Sequence, residues 1–445
     1  MRLITLIRRH LTSFRVILLG FAALILTGAV LLMLPVSIAD GMPVSFADAL
    51  FTSTSAVCVT GLVVFDTASK WTLFGRIVIL LLIQIGGLGV VTMSVLLMIA
   101  TGKRIGIFQR MAMQDAVSAP QIGGIIRFTR FFLRGTVIIE AAGALLLFPF
   151  FAKDFGFLRG AGFAIFHSIS AFCNAGFDLM GVRTSFSSFT YYADHTGITL
   201  VLSALIIIGG LGYLSWEDLL HHRFRLKHLR MQTKIILTMT AILITVPFLY
   251  FFLLEFSHLP LKERALVSFF QSVTPRTAGF NTFPYAHMSE AGLLITIVLM
   301  LTGGAPGSAA GGMKVTTLYV LLLSAHASLQ RRDEVSGFHR RIEIPAIRNA
   351  FTLLTVYLTL LITGTILISV IERLPVLPVM FECASALGTV GLTVGITPTL
   401  TIFSRVILTG FMFMGRCGGI TIAYAMIRNP GVVHNRLPAE KLTVG

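Results

Sequence analysis

Charged residues are scarce in this chain. They make up 12% of its 445 positions, against roughly a quarter in ordinary soluble domains. That shortage, with 55% hydrophobic residues and a mean hydropathy of +0.88, excludes a soluble multi-domain protein. Acidic residues are scarcer still: 19 Asp and Glu stand against 35 Lys and Arg, a formal net charge of +16. Such an excess could mark a nucleic-acid binder, but its placement excludes that partner. Of the 35 basic residues, 23 fall in the arm 1–15, the loops 101–134, 221–234 and 326–348, and the tail 428–445. In an eight-span chain these segments share one side, so the positive-inside rule puts both termini in the cytoplasm of a plasma-membrane protein. The basic loops read first as topology signals and second as a surface for anionic lipid or an acidic partner. Cysteine is sparse too. Cys58, Cys173, Cys383 and Cys417 have neither metal-like spacing nor a paired framework, and are expected to be reduced, small apolar residues. No nucleophile, base and metal set converges, which excludes an enzyme.

What the chain has in quantity is apolar sequence. A helical span needs about 20 apolar residues, and eight stretches supply them: 14–34, 73–99, 131–151, 196–219, 234–256, 291–328, 347–372 and 402–427. The first follows Arg8 and Arg9 but is too long for a signal-peptide core. Between successive pairs lie shorter runs, 46–57, 162–172, 262–273 and 379–387, too short to cross hydrocarbon. Each leads to a glycine in an apolar setting: Gly61, Gly176, Gly279 and Gly391, spaced by 115, 103 and 112 residues. A quarter of the chain is about 111 residues, so the spacing is a repeat period. The predicted units are 1–100, 101–222, 223–330 and 331–445. The predicted fold is an all-α membrane protein with eight transmembrane helices and four re-entrant pore helices around a pseudo-fourfold axis.

Irregular backbone at membrane depth survives only where protein buries it or it lines a water-filled cavity. Four such segments around one axis predict a pore. Carbonyl oxygens replace the water of a dehydrated alkali cation, and glycine permits the backbone angles that turn them inward. The candidate ion-binding residues are Val59, Thr60 and Gly61; Asn174, Ala175 and Gly176; Thr277, Ala278 and Gly279; and Thr389, Val390 and Gly391. None is acidic, so a carboxylate ring is not the selecting device. The Thr hydroxyls and the Asn174 amide either add ligands or brace the backbone.

The second apolar runs carry paired glycines, Gly86-Gly87, Gly209-Gly210 and Gly418-Gly419, and the first two pairs read as close helix packing. The third unit differs. Thr302, Gly303, Gly304, Ala305, Pro306, Gly307, Ser308, Ala309, Ala310, Gly311 and Gly312 precede Met313 and Lys314. A straight helix over 291–328 would be about 57 Å long, and this composition predicts a break within it. An uncharged flexible loop beneath a filter is a candidate gate. Its glycine spacing approaches that of a phosphate-binding loop, but Met313 separates Gly312 from Lys314 and no strand precedes it. Arg416 and Glu140 are charges inside spans. Arg416 reads as a barrier beneath the filter, a hydrogen-bonding anchor for the loop, or the ion-pair partner of Glu140 or another acid; His167 reads as a packed polar residue.

These residues together resemble the Trk/Ktr/HKT potassium transporters. The resemblance rests on four units of span, pore helix and span, Thr60-Gly61-Leu62, the Ala-Gly-Phe segments ending at Phe177 and Phe280, Pro275-Arg276-Thr277-Ala278, Thr389-Val390-Gly391-Leu392 and Arg416. It covers nearly the whole chain. It implies that K⁺ is the transported ion, that the four glycines are filter glycines, and that the broken stretch with Lys314 and Arg416 forms the gate. Some plant relatives that carry sodium have serine at the first filter glycine; here it is Gly61. The resemblance further implies a homodimer docked on a cytoplasmic RCK-type ring that binds ATP or ADP, the nucleotide belonging to that ring, with the Leu442–Gly445 tail at the dimer interface. The competing expectation is an alternating-access carrier coupled to sodium or protons.

Overall fold

The structure, a computed structural model, describes residues 13–39, 41–90, 92–93, 111, 113–114, 123–418 and 440. The N-terminal arm, most of the loop 94–122, the far end of the expected last span and the Leu442–Gly445 tail lie outside the described residues. The first helices are α1 (Ser13–Met33), α2 (Phe46–Val57) and α3 (Leu73–Leu88). Next come α4 (Ile125–Phe155), α5 (Phe157–Phe172), α6 (Thr196–Gly210) and α7 (Tyr213–His221). Then follow α8 (Met231–Tyr250), α9 (Leu261–Val273), α10 (Glu290–Leu301) and α11 (Val315–Leu329). The last are α12 (Ile344–Glu372), α13 (Val376–Gly388) and α14 (Ile402–Cys417). Among the described residues the only sheet is a hairpin pairing Ser336–Gly337 with Arg340–Arg341.

By length and composition four helices can each cross a membrane unaided: α1, α4, α8 with its π-helical extension Phe251–Glu255, and α12. Their outward faces carry exposed apolar side chains, such as Val137, Ile138 and Leu145 on α4 and Ile362, Ile366 and Val370 on α12. That pattern suits lipid rather than water as solvent, because hydrocarbon exacts no penalty for exposed Leu or Ile. The inward helices are α2, α5, α9 and α13, of 12, 16, 13 and 13 residues. Their C-terminal halves are the most deeply buried part of the fold. In α2 every residue from Phe51 to Val57 is buried, and in α13 every residue from Phe381 to Gly388. Local chemistry sets their starts. The Ser45 hydroxyl accepts the Asp48 N–H at 3.2 Å and caps α2. Helix α5 begins at Phe157, ahead of the expected 162. Gly156, at φ 80°, reverses the chain directly out of α4, and Gly160 then passes so close to Ala152 that a methyl would lie 2.6 Å from its backbone.

The second apolar runs depart most from expectation. The continuous span expected over 196–219 is two helices, α6 and α7, bent by 94°. Paired glycines do more here than allow close packing. Gly212, at φ 82°, leaves the helix, and the backbone groups freed at the bend bond elsewhere. Gly210 O accepts the Ala305 N–H at 2.9 Å, and the Tyr213 N–H donates to Gly307 O at 2.9 Å. A neighbouring loop thus takes over the helix's own hydrogen bonds, which is how broken helices are tolerated at membrane depth. Helix α3 stops at Leu88 before Gly89 (φ 89°), and α14 stops at Cys417 before Gly418 (φ 84°). The break expected in the third unit is present: α10 ends at Leu301 and α11 starts at Val315, with Thr302 and Met313 bridged in parallel between them.

The close packing read from the glycines is also present. A methyl on Gly86, Gly209 or Gly415 would collide with the carbonyl oxygen of Val57, Phe172 or Leu387 respectively. Each of those carbonyls lies four residues before Gly61, Gly176 or Gly391.

Candidate functional site

The C-terminal ends of α2, α5, α9 and α13 converge, and the four glycine segments leave from them. Each segment combines two residues of left-handed backbone around one ordinary residue. Val59, Asn174, Thr277 and Thr389 have φ of 50°, 55°, 70° and 52°; Gly61, Gly176, Gly279 and Gly391 have 92°, 69°, 81° and 90°. Only glycine holds the second position without strain, while the first is enforced by its surroundings. The segments touch in a closed cycle. A methyl on Gly61 would lie 2.6 Å from Ala175 O and one on Gly176 would lie 2.9 Å from Ala278 O. One on Gly279 would strike Val390 O, and one on Gly391 would strike Thr60 O, closing the ring. In every case the glycine faces the carbonyl just before the next glycine. All twelve predicted ion-binding residues are therefore brought together; eleven are buried, and Gly279 is half-buried.

Each segment is anchored to its own short helix in the same way. The N–H groups of Thr60, Ala175 and Val390 donate to Ser55 O, Ser170 O and Ser385 O, each at 2.8 Å, and the Ala278 N–H donates to Thr274 O at 2.9 Å. The hydroxyls of those four anchors act too. Gly61 and Gly391 donate their N–H groups to Ser55 Oγ and Ser385 Oγ at 3.0 Å. Ser170 Oγ donates to Phe177 O at 2.7 Å, and Thr274 Oγ1 to Phe280 O at 2.5 Å. The sequence reading missed these braces. The signal was available: Ser55, Ser170 and Ser385 lie six residues before their glycines, Thr274 five before Gly279.

A second set of struts ties the short helices to the strands leaving the ring. His167 Nδ1 lies 2.7 Å from Phe163 O while its Nε2 accepts the Leu179 N–H at 3.0 Å, which fixes the Nδ1–H tautomer. Gln271 Nε2 donates to Phe283 O at 2.9 Å, and its Oε1 accepts from Tyr285 Oη at 2.6 Å. Glu382 accepts from Thr393 Oγ1, from Thr397 Oγ1 at 2.6 Å and from the Val394 N–H at 3.2 Å. In the first unit Thr52, nine residues before Gly61, bonds only within its helix, to Asp48 O at 2.9 Å. Of these, only His167 drew attention in the sequence, and as a packed polar residue it fits its buried, ring-lined surroundings.

Of the two expected roles for the threonines and Asn174, bracing is seen at Asn174. Asn174 Nδ2 braces the neighbouring segment through Arg276 O at 3.2 Å and Thr277 Oγ1 at 3.3 Å. By contrast Thr60 Oγ1, Asn174 Oδ1 and Thr389 Oγ1 are buried without a protein partner.

The stretch from Thr302 to Lys314 lies against the ring. A methyl on Gly311 would collide with Thr389 Oγ1, and one on Gly312 would lie 2.9 Å from Gly388 O. Its backbone tethers reach two helices, α6 and α14. The Ala309 N–H donates to Gly209 O and the Gly312 N–H to Gly415 O, both at 3.3 Å, and the Gly303 N–H returns to Met313 O at 2.7 Å. Within the loop Ser308 Oγ donates to Ala305 O at 2.7 Å. Two cations are held here by carbonyls alone. Lys314 Nζ donates to Ala310 O at 2.7 Å, and Arg416 donates to Ala309 O, Gly86 O and Gly87 O. Arg416 thus links the loop to the open end of α3, where unpaired carbonyls attract a cation. The pairing with Glu140 does not form: Glu140 instead accepts from Gln84 Nε2 at 3.1 Å. Of the three expectations for Arg416, hydrogen bonds to the loop's carbonyls are present and the pair with Glu140 is not.

On the other side of the ring a cavity of about 220 Å³ is lined by Gly279, Gly391, Asn281, Thr393, Val63 and Phe186. Asp66 accepts from the Ala68 and Phe186 N–H groups, each at 3.0 Å. Asp178 accepts the Met180 N–H at 2.9 Å, and burial, with the nearby charge of Asp66, pushes its carboxyl up to about 7.

Fold and site define a multi-pass membrane protein whose buried centre is a closed ring of glycines and backbone carbonyls, with a tethered loop set against one side. The chain belongs to the TrkH family of cation transport proteins, whose family model matches residues 12–431. It is a transporter and not an enzyme. It is 38% identical to the potassium/sodium uptake protein NtpJ of Enterococcus hirae, over 99% of this chain and 98% of that one. It is 40% identical to the Ktr system potassium uptake protein B of Bacillus subtilis, over 85% of each chain. Its fold is similar to that of the potassium transporter TrkH from Vibrio parahaemolyticus, with a TM-score of 0.74 at 20% identity, covering 93% of this chain and 84% of that one.

Proposed function

We propose that the chain carries potassium across the plasma membrane through one central pore, with the four glycine segments as its selectivity filter. The observation that carries this reading is the closed cycle of contacts from Gly61 through Gly176 and Gly279 to Gly391. Alternating left-handed and ordinary backbone turns successive carbonyls to the same side, and a ring of such oxygens replaces the water around a dehydrated cation. The short helices add the negative ends of their dipoles at the same point. Burying Thr60 Oγ1, Asn174 Oδ1 and Thr389 Oγ1 without partners costs free energy, and a passing ion with its water offsets that cost. In this reading the chain is four units (1–100, 101–222, 223–330, 331–445) about a pseudo-fourfold axis, each a span, a pore helix and a second span, broken in the third. The stretch Thr302–Gly312, held by Lys314 and Arg416, is the gate. Both termini are cytoplasmic, and two copies pair on a cytoplasmic RCK-type ring that binds adenine nucleotide and moves the gate.

Selectivity tests the reading. Gly61→Ser places a side chain at φ 92° against Ala175 O, and K⁺ over Na⁺ preference in proteoliposome flux is expected to fall several-fold, as one disturbed ligand ring shifts relative affinities by about 1 kcal/mol. Unchanged permeability ratios refute the filter assignment. Flux per chain above about 10⁵ ions per second, far beyond ordinary turnover numbers, separates a pore from a carrier.

A further inference from the structure

Away from the ring, the loop between α7 and α8 meets the hairpin before α12. Together they form a basin of about 330 Å³ lined by Lys227, His228, Lys234, Phe338, His339 and Arg340. We infer that this basin is a binding site for a phosphate group, presented either by an anionic lipid headgroup or by a free phosphate compound. Three observations carry the inference. First, three permanent cations and two histidines converge on one concavity, and no carboxylate among the described residues pairs with any of them. The nearby ion pairs, Arg230 with Asp218 and Arg341 with Glu334, use other residues. Like charges gathered without a counter-ion repel one another, and a multivalent anion relieves that repulsion. Second, the basin is built rather than incidental. Lys234 Nζ is fixed by Lys227 O at 3.0 Å. The hairpin is seated on α11 by Phe338 stacked on Tyr319, with centroids 6.2 Å apart and planes 18° apart. Gly337 fits against the Tyr319 hydroxyl so closely that a methyl would lie 2.5 Å from it. Third, Met231 opens the 20-residue helix α8 into the basin, and the free N–H groups of a helix start favour an anion. Phosphate suits this set better than a carboxylate, because its three or four oxygens serve several point donors at once. The basin lies where apolar helices α8 and α11 end, within reach of headgroups.

The test uses the full-length protein in detergent, with two probes. Native mass spectrometry after exchange through mixed phosphatidylglycerol and phosphatidylcholine micelles reads lipid retention, and isothermal titration with inorganic pyrophosphate reads soluble anion. For the triple variant Lys227→Gln, Lys234→Gln and Arg340→Gln, each lost charge-assisted bond weakens binding by about tenfold or more. Retained phosphatidylglycerol that the triple variant loses identifies a headgroup. Pyrophosphate saturation lost in the same variant, without lipid retention, identifies a free phosphate compound. Arg340→Gln alone, in the exposed hairpin, serves if the triple variant does not fold, and Arg340→Lys keeps the parent's binding. Equal retention and equal titration in parent and charge-neutral variants overturn the inference, as does a parent that binds neither probe.

Discussion

The four glycine segments and the four helices that follow them are opposites. The segments differ in sequence, Val-Thr-Gly, Asn-Ala-Gly, Thr-Ala-Gly and Thr-Val-Gly, yet share one backbone path, one anchor and one mode of contact. Three of the helices share a glycine-rich pattern, yet α6 turns by 94° into α7 while α3 and α14 stop at a single left-handed glycine. The remaining one is interrupted by a loop from Thr302 to Lys314. A ring requires equivalence, because an ion on its axis meets all four contributors at once. A blocking element does not, since one loop suffices. On the reading proposed above, uniformity marks the filter and asymmetry the gate.

Each side of this contrast can be broken. The largest effect is expected for Gly391→Ala, whose methyl would strike Thr60 O at φ 90°; backbone must shift, and rubidium uptake should fall more than about a hundredfold, equivalent to about 3 kcal/mol. Full uptake would show that the ring tolerates inequivalence. Next is deletion of Gly303–Gly312, which removes the element specific to one unit. Leak of K⁺ from proteoliposomes should rise by about tenfold, and a folded protein that conducts less would show the loop to be structural. Third is Ser385→Ala, which orphans the Gly391 N–H. A loss of about 1–3 kcal/mol in thermal unfolding is expected, with a measurable fall in K⁺ over Na⁺ preference; a stability loss at constant preference would detach the brace from selection. The smallest effect concerns pH. The Asp178 carboxyl lies above its ordinary range, at about 7. Its protonated form is favoured by folding, so that contribution is complete below about pH 4 and is lost as pH rises through 7, at no more than about 1.4 kcal/mol per pH unit. Asp178→Asn should flatten the change of melting temperature with pH across that window; an unchanged slope would place the titration elsewhere.

The fold was legible in the sequence where solvent decides it. Long apolar runs against short ones separated α1, α4, α8 and α12 from the buried helices, because lipid imposes a length. The ends of α2 and α9, read as 46–57 and 262–273, agree to within a residue with Phe46–Val57 and Leu261–Val273. The glycine ring was legible through its period. The bend at Gly212 was not. Within Thr196–His221 nothing forbids a straight helix more strongly than in α3, and the bend exists because Ala305 and Gly307 bond to the freed backbone. The hydrogen-bond partners of Arg416 were not legible for the same reason, as its acceptors come from positions 86, 87 and 309.

By itself the sequence determined which segments seek lipid, which stay buried, and which glycines recur, because burial and backbone freedom are properties of residues and short windows. Only the tertiary structure decided that the glycines form a closed ring and that one loop is tethered against it by α6, α14 and Arg416. Those are hydrogen bonds and contacts between groups often a hundred or more residues apart, and no local pattern specifies a partner at that distance.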